Sequence, residues 1–270
     1  MGRRGNIIKL PGQSQRCEFV ELFKEISAGG KYSDWSVWQD FIYMSAISMS
    51  NCFDRRQDRE DEYLRLIGKY GKQEQMLLPQ MLAKLAEAFE EEKFGDILGD
   101  MYMQLEMNNH WHGQFFTPYN VSLMMAKMTI GDTQKTVEKK GYITVSDPCC
   151  GAGGLLIGAA EAIYEAGVNY QQTALFIAQD IDRVVAMMCY IQMSLLGMAG
   201  YVIVGNTLTA DYENCEYWYT PMYFSDVWQL RWMTRNIQDL LHSDFTKFKP
   251  ISEPPAIAFK QTESGQLMFG

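Results

Sequence analysis

The chain has 270 residues, 47% of them hydrophobic, which leaves room for one large domain or two modest ones around a sizeable core. Its 24 Lys and Arg stand against 33 Asp and Glu, a net charge of -9. That balance excludes a protein that grips DNA unaided by neutralising phosphates, so a nucleic-acid role calls for a local basic face or a positively charged partner. Cys17, Cys52, Cys149, Cys150, Cys189 and Cys215 show no C-x-x-C pair and read as reduced thiols of a cytosolic protein. No apolar stretch is long enough to span a bilayer, so a soluble, cytoplasmic protein without a membrane partner is expected.

Residues 1–16 are polar and Gly-rich and read as a flexible arm. From Cys17 to Ala28, Phe19, Leu22, Phe23 and Ile26 recur at helical spacing, and Gly29-Gly30 closes the helix. Ser33-Asp34 can cap a second helix from Trp35 to about Cys52. The mixed charge run at 54–62 reads as a solvated helix face, continued by Tyr63 to Lys69 as far as Gly71. Pro79 is expected at a helix start, with Gln80 to Lys93 following and Phe94 to Met107 adding a turn or two. Residues 17–107 thus read as an all-α N-terminal domain.

The helical pattern breaks at 108–118. His110 and His112 lack a third ligand at suitable spacing, so no metal site is expected. Pro118 is expected to start a helix through Val121, Met124, Met125 and Met128, with Thr117 as its cap and free amides at the first turn. Such a helix start favours anions, a carboxylate included.

Next, Gly141 to Ser146 reads as a short buried strand, followed by Asp147-Pro-Cys-Cys-Gly-Ala-Gly-Gly and an Ala/Leu/Ile-rich helix from Leu155 to Tyr164. A strand, a glycine turn and a helix make the ligand corner of an open α/β sheet. A dinucleotide fingerprint would require Gly at 156, where Leu156 stands, and Asp147 would repel a pyrophosphate. The same carboxylate suits a ligand with a cationic amine, such as S-adenosylmethionine. A glycine connector that binds nothing is the plainer alternative. Ala174 to Gln179 forms a second strand ending in Asp180-Ile-Asp182, and Arg183 to Met198 a Met-rich helix that reads as core packing. Tyr201 to Val204 forms a third strand, ending in Gly205-Asn-Thr-Leu-Thr. Asp180 is placed to accept from two ribose hydroxyls at the carboxyl edge of the sheet.

In that order, Gly113-Gln-Phe-Phe-Thr-Pro118, Asp147-Pro-Cys-Cys-Gly-Ala-Gly-Gly154, Gln179-Asp-Ile-Asp182 and Gly205-Asn-Thr-Leu208 resemble the motifs of DNA adenine-N6 methyltransferases, in particular type I restriction–modification methylation subunits. The resemblance runs from the helical N-terminal part to about residue 209. It implies an S-adenosylmethionine-dependent methyltransferase fold, a Rossmann-like α/β sheet, here shortened at its C-terminus. It also implies S-adenosyl-L-methionine as cofactor and DNA as substrate, with help from a specificity-type or other subunit. Phe116 and Thr117 would lie at the cofactor, Thr117 holding the methionine carboxylate, while Asp147, Gly151 and Gly153 line the methionine end. Asp180 would take the ribose, Ile181 would pack on the adenine, and Asn206 with Leu208 would complete the adenine side, Asn206 standing where the family has Asp.

The family's Asn/Asp-Pro-Pro-Tyr/Phe tetrapeptide, which accepts from the target amine and stacks on the flipped base, does not occur in the chain. Its nearest counterpart is Thr220-Pro-Met-Tyr223, with Thr220, Pro221 and Tyr223 as candidate catalytic residues. These residues equally read as an aromatic turn entering a helix from Phe224 to Leu241. The expected organisation is an arm at 1–16, a helical domain at 17–107, a cofactor domain at 108–245 and an extended tail at 246–270. Two functions follow from the resemblance. One is methyl transfer to the adenine N6 amine by in-line attack; the other is a catalytically inactive homologue serving as a structural or regulatory subunit.

Overall fold

The computed structural model describes residues 13–28, 30–105, 116–209, 213–233, 259–261 and 267–269. Five helices come first: α1 (Gln13–Ser27), α2 (Asp34–Asn51), α3 (Gln57–Ile67), α4 (Lys72–Glu91) and α5 (Ile97–Gln104). Their apolar stripes meet around Trp38, which is fully buried with the rings of Phe19, Phe23 and Tyr102 edge-on at 6.3, 6.2 and 6.1 Å. Such aromatic clusters combine large buried area with favoured edge geometry. Ser33 caps α2 as expected, its hydroxyl accepting from the Ser36 amide at 3.2 Å.

Two expectations about this region are corrected. Pro79 lies inside α4, which begins at Lys72. The ring removes one intrahelical bond, but Leu78, Met81 and Leu85 are buried around it and hold the helix through. The charge run at 54–62 is likewise only partly solvated. Arg59 is 5% exposed, donates to Ser50 Oγ, to Asp54 at 3.1 Å and to the Tyr217 carbonyl at 2.7 Å, and lies 3.8 Å over the Trp218 ring. Glu62 takes a two-pronged ion pair from Arg183, both contacts 2.8 Å. Periodicity cannot distinguish an outward charge from one bonded to a distant element. The expected arm also shortens, since α1 already starts at Gln13; residues 1–12 lie outside the described residues.

After α6 (Tyr119–Thr129) and α7 (Thr133–Lys140) the chain alternates: β1 (Ile143–Asp147), α8 (Gly154–Glu165), α9 (Tyr170–Thr173), β2 (Ala174–Asp180), α10 (Arg183–Leu195), β3 (Ala199–Val204) and β4 (Glu216–Tyr219). The sheet order is β1-β2-β3-β4. The first two pairings are parallel and the third antiparallel. Two successive crossovers run in one direction, and the right-handed connection usual for such units places α8 and α10 on one face. α10 has ten consecutive buried residues, Val184 to Met193. It lies against β2 and β3 on one side and against α2 and α5 on the other. β1, expected as a buried strand, has Thr144 and Ser146 exposed, because among the described residues only β2 pairs with it.

A 3-10 turn (Pro221–Phe224) follows β4, and residues 226–233 are helical. The remainder of the helix expected at 224–241 lies outside the described residues. The chain divides into two compact units, Met1–Gln229 and Leu230–Gly270, so the boundary expected at 107/108 falls inside the first. In the second, β5 (Phe259–Gln261) pairs antiparallel with β6 (Leu267–Phe269). No helix among the described residues is long and apolar enough to cross a membrane.

The Arg59 contacts generate a stability prediction. Arg59→Ala leaves Asp54 and the Tyr217 carbonyl without their donor in a buried setting, and should cost about 3–5 kcal/mol in urea unfolding. Arg56→Ala, which removes an exposed pair with Asp58, should change stability by less than about 1 kcal/mol.

Candidate functional site

The carboxyl ends of β1, β2 and β3 are laced into one edge by their own loops. The Cys150 amide donates to the Gln179 carbonyl at 2.9 Å, the Gly205 amide to the Asp180 carbonyl at 2.9 Å, and the Thr207 hydroxyl to the Pro148 carbonyl at 2.6 Å. The Asp180 carboxylate accepts from the Gly151 amide and, through its other oxygen, from the Asp182 amide, both at 2.9 Å. Each oxygen of a carboxylate offers two acceptor positions, so capacity for a ligand hydroxyl remains.

Two turn positions require glycine. Gly151 and Gly153 have φ of +53° and +98°, a backbone that side chains rarely adopt. A Cβ at Gly151 would stand 3.2 Å from the Phe116 ring, and one at Gly153 would stand 2.8 Å from Cys189 Sγ. The first spacing leaves the cleft open beside Phe116; the second lets the loop seat on α10.

A cleft of about 210 Å³ lies here, lined by Phe116, Thr117, Ser122, Cys149–Ala152, Gly154, Leu155, Asp96, Asp180 and Val185. Four of the nine expected cofactor residues line it directly: Phe116, Thr117, Gly151 and Asp180. Gly153, outside the lining, packs against Cys189 of α10. Asp147 sits at the end of β1, where its Oδ1 accepts from the Cys149 amide at 3.1 Å and its buried Oδ2 has no partner. Burial pushes the Asp147 carboxyl up, the Cys149 amide opposes this, and the Asp180 charge adds to it. Ile181 and Leu208 are 68% and 94% exposed. Asn206, also exposed, turns its amide oxygen to the Leu208 amide at 3.0 Å. These three stand on the two outer loops, Ile181 after β2 and the others after β3.

Thr117 is not the cap of α6. Pro118 holds that position, with φ -53° and ψ 136°, and Thr117 is exposed one residue earlier. His110, His112 and Gly113 to Phe115 lie outside the described residues, and no metal-holding cluster occurs among the described ones.

Three site residues were missed by sequence reasoning. Asp96 caps α5, its Oδ1 accepting from the Gly99 amide at 2.9 Å and from Gln192 at 2.8 Å. Burial raises its carboxyl to about 6; the Gln192 and Gly99 bonds and Arg16 pull it down, while Asp100 pushes it up. Gln192, fully buried, also donates to the Ala152 carbonyl at 2.7 Å and accepts from the Leu98 amide at 3.0 Å. Ser122 is fully buried and its hydroxyl has no partner. An Asp three residues before a Gly at a helix start signals a cap but not a cleft, and nothing local marks Ser122 or Gln192.

The structure does not bring Thr220, Pro221 and Tyr223, the candidate catalytic residues, to this cleft. Because β4 runs antiparallel, Glu216 pairs with Val204 at the carboxyl end of β3 and Tyr219 with Tyr201 near its start. Thr220 therefore lies at the opposite end of the sheet from the cleft, roughly 16 Å away along β3 at about 3.3 Å per residue. Its fully buried hydroxyl donates to the Met198 carbonyl at 2.7 Å and accepts from the Gly200 amide at 3.1 Å. Tyr223 packs on Tyr219, ring centroids 4.8 Å apart, and edge-on to Tyr201. This is the aromatic turn of the alternative reading.

Comparison with known proteins gives a family match, the N-6 DNA Methylase model over residues 93–256. Among solved structures, the chain is similar to the methyltransferase subunit of a type I restriction-modification system from Streptococcus thermophilus (16% identity, 75% of this chain and 60% of that one, TM-score 0.39). It is also similar to a protein assigned as a class I S-adenosylmethionine-dependent methyltransferase from Listeria monocytogenes (13% identity, 72% and 54%, TM-score 0.36). The chain thus spans between about half and three fifths of those proteins. No curated protein matches it.

Two predictions follow from the buried groups. The folded protein binds the Asp96 proton more tightly than the unfolded chain does, so this group's destabilising contribution grows between about pH 4 and 6 and is complete above that window. Asp96→Asn should therefore gain stability over the parent at pH 8, by about 2–3 kcal/mol at 1.36 kcal/mol per pKa unit, and lose the gain near pH 4. Thermal unfolding across pH measures it. Thr220→Val should cost about 1–3 kcal/mol by leaving the Met198 carbonyl unpaired, with ligand affinity at the cleft unchanged by calorimetry.

Proposed function

The chain belongs to the N-6 DNA Methylase family, and from that premise we propose that its cleft binds S-adenosylmethionine for methyl transfer to the N6 amine of adenine in DNA. One observation carries the ligand reading: among the described residues the cleft lining holds two carboxylates, Asp96 and Asp180, and no Lys, Arg or His. A pyrophosphate would be repelled there, whereas a ligand cationic at amine and sulfonium is favoured. The residues fit in other respects. The buried Asp147 Oδ2 lacks a partner, and Gly151 leaves open the space a Cβ would fill against Phe116. At about 210 Å³ the cleft suits the amino-acid end of the cofactor and is small for a whole nucleoside, since ligand pockets commonly exceed about 300 Å³. The adenosine end then extends over the outer loops, with Asp180 accepting from the ribose, Ile181 packing on the adenine, and Asn206 and Leu208 at its amino edge. Phe116, Thr117, Gly151 and Gly153 hold the methionine end.

When bound, the cofactor supplies an electrophilic methyl group. The chain's own part is to fix its orientation and keep the sulfonium end between Asp147 and the glycine turn, so that positioning supplies most of the acceleration. DNA is the substrate on this reading. With a net charge of -9, the chain would need a specificity-type or other basic partner to hold it. A second reading, a catalytically silent structural or regulatory subunit, is favoured by the placement of Thr220 and Tyr223 away from the cleft.

Titration calorimetry with S-adenosylmethionine tests the proposal, paired with radiolabelled methyl transfer to adenine-containing DNA. Micromolar binding, weakened at least about tenfold by Asp180→Ala as expected for a lost charge-assisted hydrogen bond, supports the cofactor site. Methyl incorporation then selects the enzyme over the silent subunit. A folded protein that binds no S-adenosylmethionine overturns the reading.

A further inference from the structure

We propose that Asp96 and Ser122 form a dedicated ammonium-binding end of the cleft, Asp96 Oδ2 and Ser122 Oγ accepting from the α-amino group of the ligand. The proposal rests on the S-adenosylmethionine reading and adds two residues that belong to none of the motifs carrying that reading.

The Asp96 carboxylate is 4% exposed and its direction is fixed. Both of its hydrogen-bond donors, the Gly99 amide and Gln192 Nε2, reach the same oxygen, Oδ1. The other oxygen is turned to the glycine loop. A Cβ built on Gly154 would meet Asp96 Oδ2 at 3.1 Å and Ser122 Oγ at 3.6 Å, so the two oxygens converge on one spot beside the loop. Both residues line the cleft. Ser122 Oγ is buried without a partner. A buried hydroxyl left without a partner beside a carboxylate oxygen is unfavourable unless something donates to it.

Among the described residues none donates to Ser122 Oγ. Arg16, whose charge reaches Asp96, is itself bonded to Glu92 and to Asp100 at 3.2 Å. An ammonium carries three donors and a positive charge, and so satisfies both oxygens while neutralising the carboxylate. Thr117 and the start of α6 lie on the same cleft. A helix start favours the ligand's own carboxylate, which separates the two charges of an amino acid along the cleft. The recognised chemistry is therefore a zwitterionic amino-acid end, with the cation read by α5 and α6 side chains.

The test compares S-adenosylhomocysteine with its des-amino analogue, in which hydrogen replaces the α-ammonium, by calorimetry at pH 7.5 on the full chain. On the parent protein, loss of the ammonium should weaken binding roughly tenfold to a hundredfold, the worth of a charge-assisted hydrogen bond. Asp96→Asn keeps the acceptor for Gly99 and Gln192, so the fold is retained. It should weaken S-adenosylhomocysteine by a similar factor and bind the two ligands within about threefold of each other. Ser122→Ala, which removes a hydroxyl that bonds to nothing in the free protein, should weaken S-adenosylhomocysteine several-fold with unchanged melting temperature. If Asp96→Asn binds S-adenosylhomocysteine like the parent, or discriminates the two ligands as strongly, the ammonium site is overturned while the cofactor reading stands. A parent protein that binds neither S-adenosylmethionine nor S-adenosylhomocysteine overturns both.

Discussion

The site depends on one buried amide. Gln192, in the middle of α10, donates through its two N–H groups to Asp96 and to the Ala152 carbonyl and accepts from the Leu98 amide. The helical layer, the glycine loop and the helix after β2 are thereby tied at a single fully buried side chain. Replacing it with an apolar residue of similar volume would take this partner from the Leu98 amide and the Ala152 carbonyl and leave Asp96 only the Gly99 amide, and lost buried hydrogen bonds are costly in a low-dielectric interior. The loop conformation is local, set by glycines with positive φ, but its position relative to α5 is not. That position is set by Gln192, which is why Asp96 can reach a loop more than fifty residues later in the chain.

Strand direction decides what this edge of the sheet can contain. Three parallel strands end together and present Asp147, Asp180 and Asn206 at one edge. The fourth strand reverses, so whatever follows it returns to the far edge. Thr220 is then a structural hydroxyl, bridging Met198 and Gly200 where β3 begins. The Tyr201, Tyr219 and Tyr223 rings pack on one another beside it. Side-chain identity alone suggested an acceptor and a stacking ring in that tetrapeptide. Pairing direction, which no local pattern encodes, assigns it to packing.

What was legible in the residues follows the range of the interaction concerned. Strand, turn and helix around 143–165 could be read because the apolar run, the glycines and the helix formers act within a few residues of each other. The same holds for Ser33 at the start of α2. Arg59, Glu62, Gln192 and Ser122 could not be placed, because their partners or neighbours lie far along the chain: Tyr217 for Arg59, Arg183 for Glu62, Leu98 and Ala152 for Gln192, Gly154 for Ser122. Pro79 misled for a related reason. A proline favours a helix start locally, but tertiary burial of Leu78 and Met81 outweighs the lost bond.

Carboxylates set the charge around the cleft. Asp96, Asp147 and Asp180 come from α5, β1 and β2, three elements that converge on the glycine turn. Asp180 is compensated by backbone amides of the loops it joins. Asp147 has one amide for two oxygens, and Asp96 has both its donors on one oxygen. Burial accordingly raises the latter two carboxyls. A fold that needed these acids only for structure would gain by pairing them or by replacing them with amides. Held buried and incompletely paired, they are costly in the charged state, and a cationic ligand relieves that cost where an anion would increase it. Discrimination against phosphate-bearing cofactors is thus built into the protein before any ligand contact forms, at the expense of stability above about pH 6.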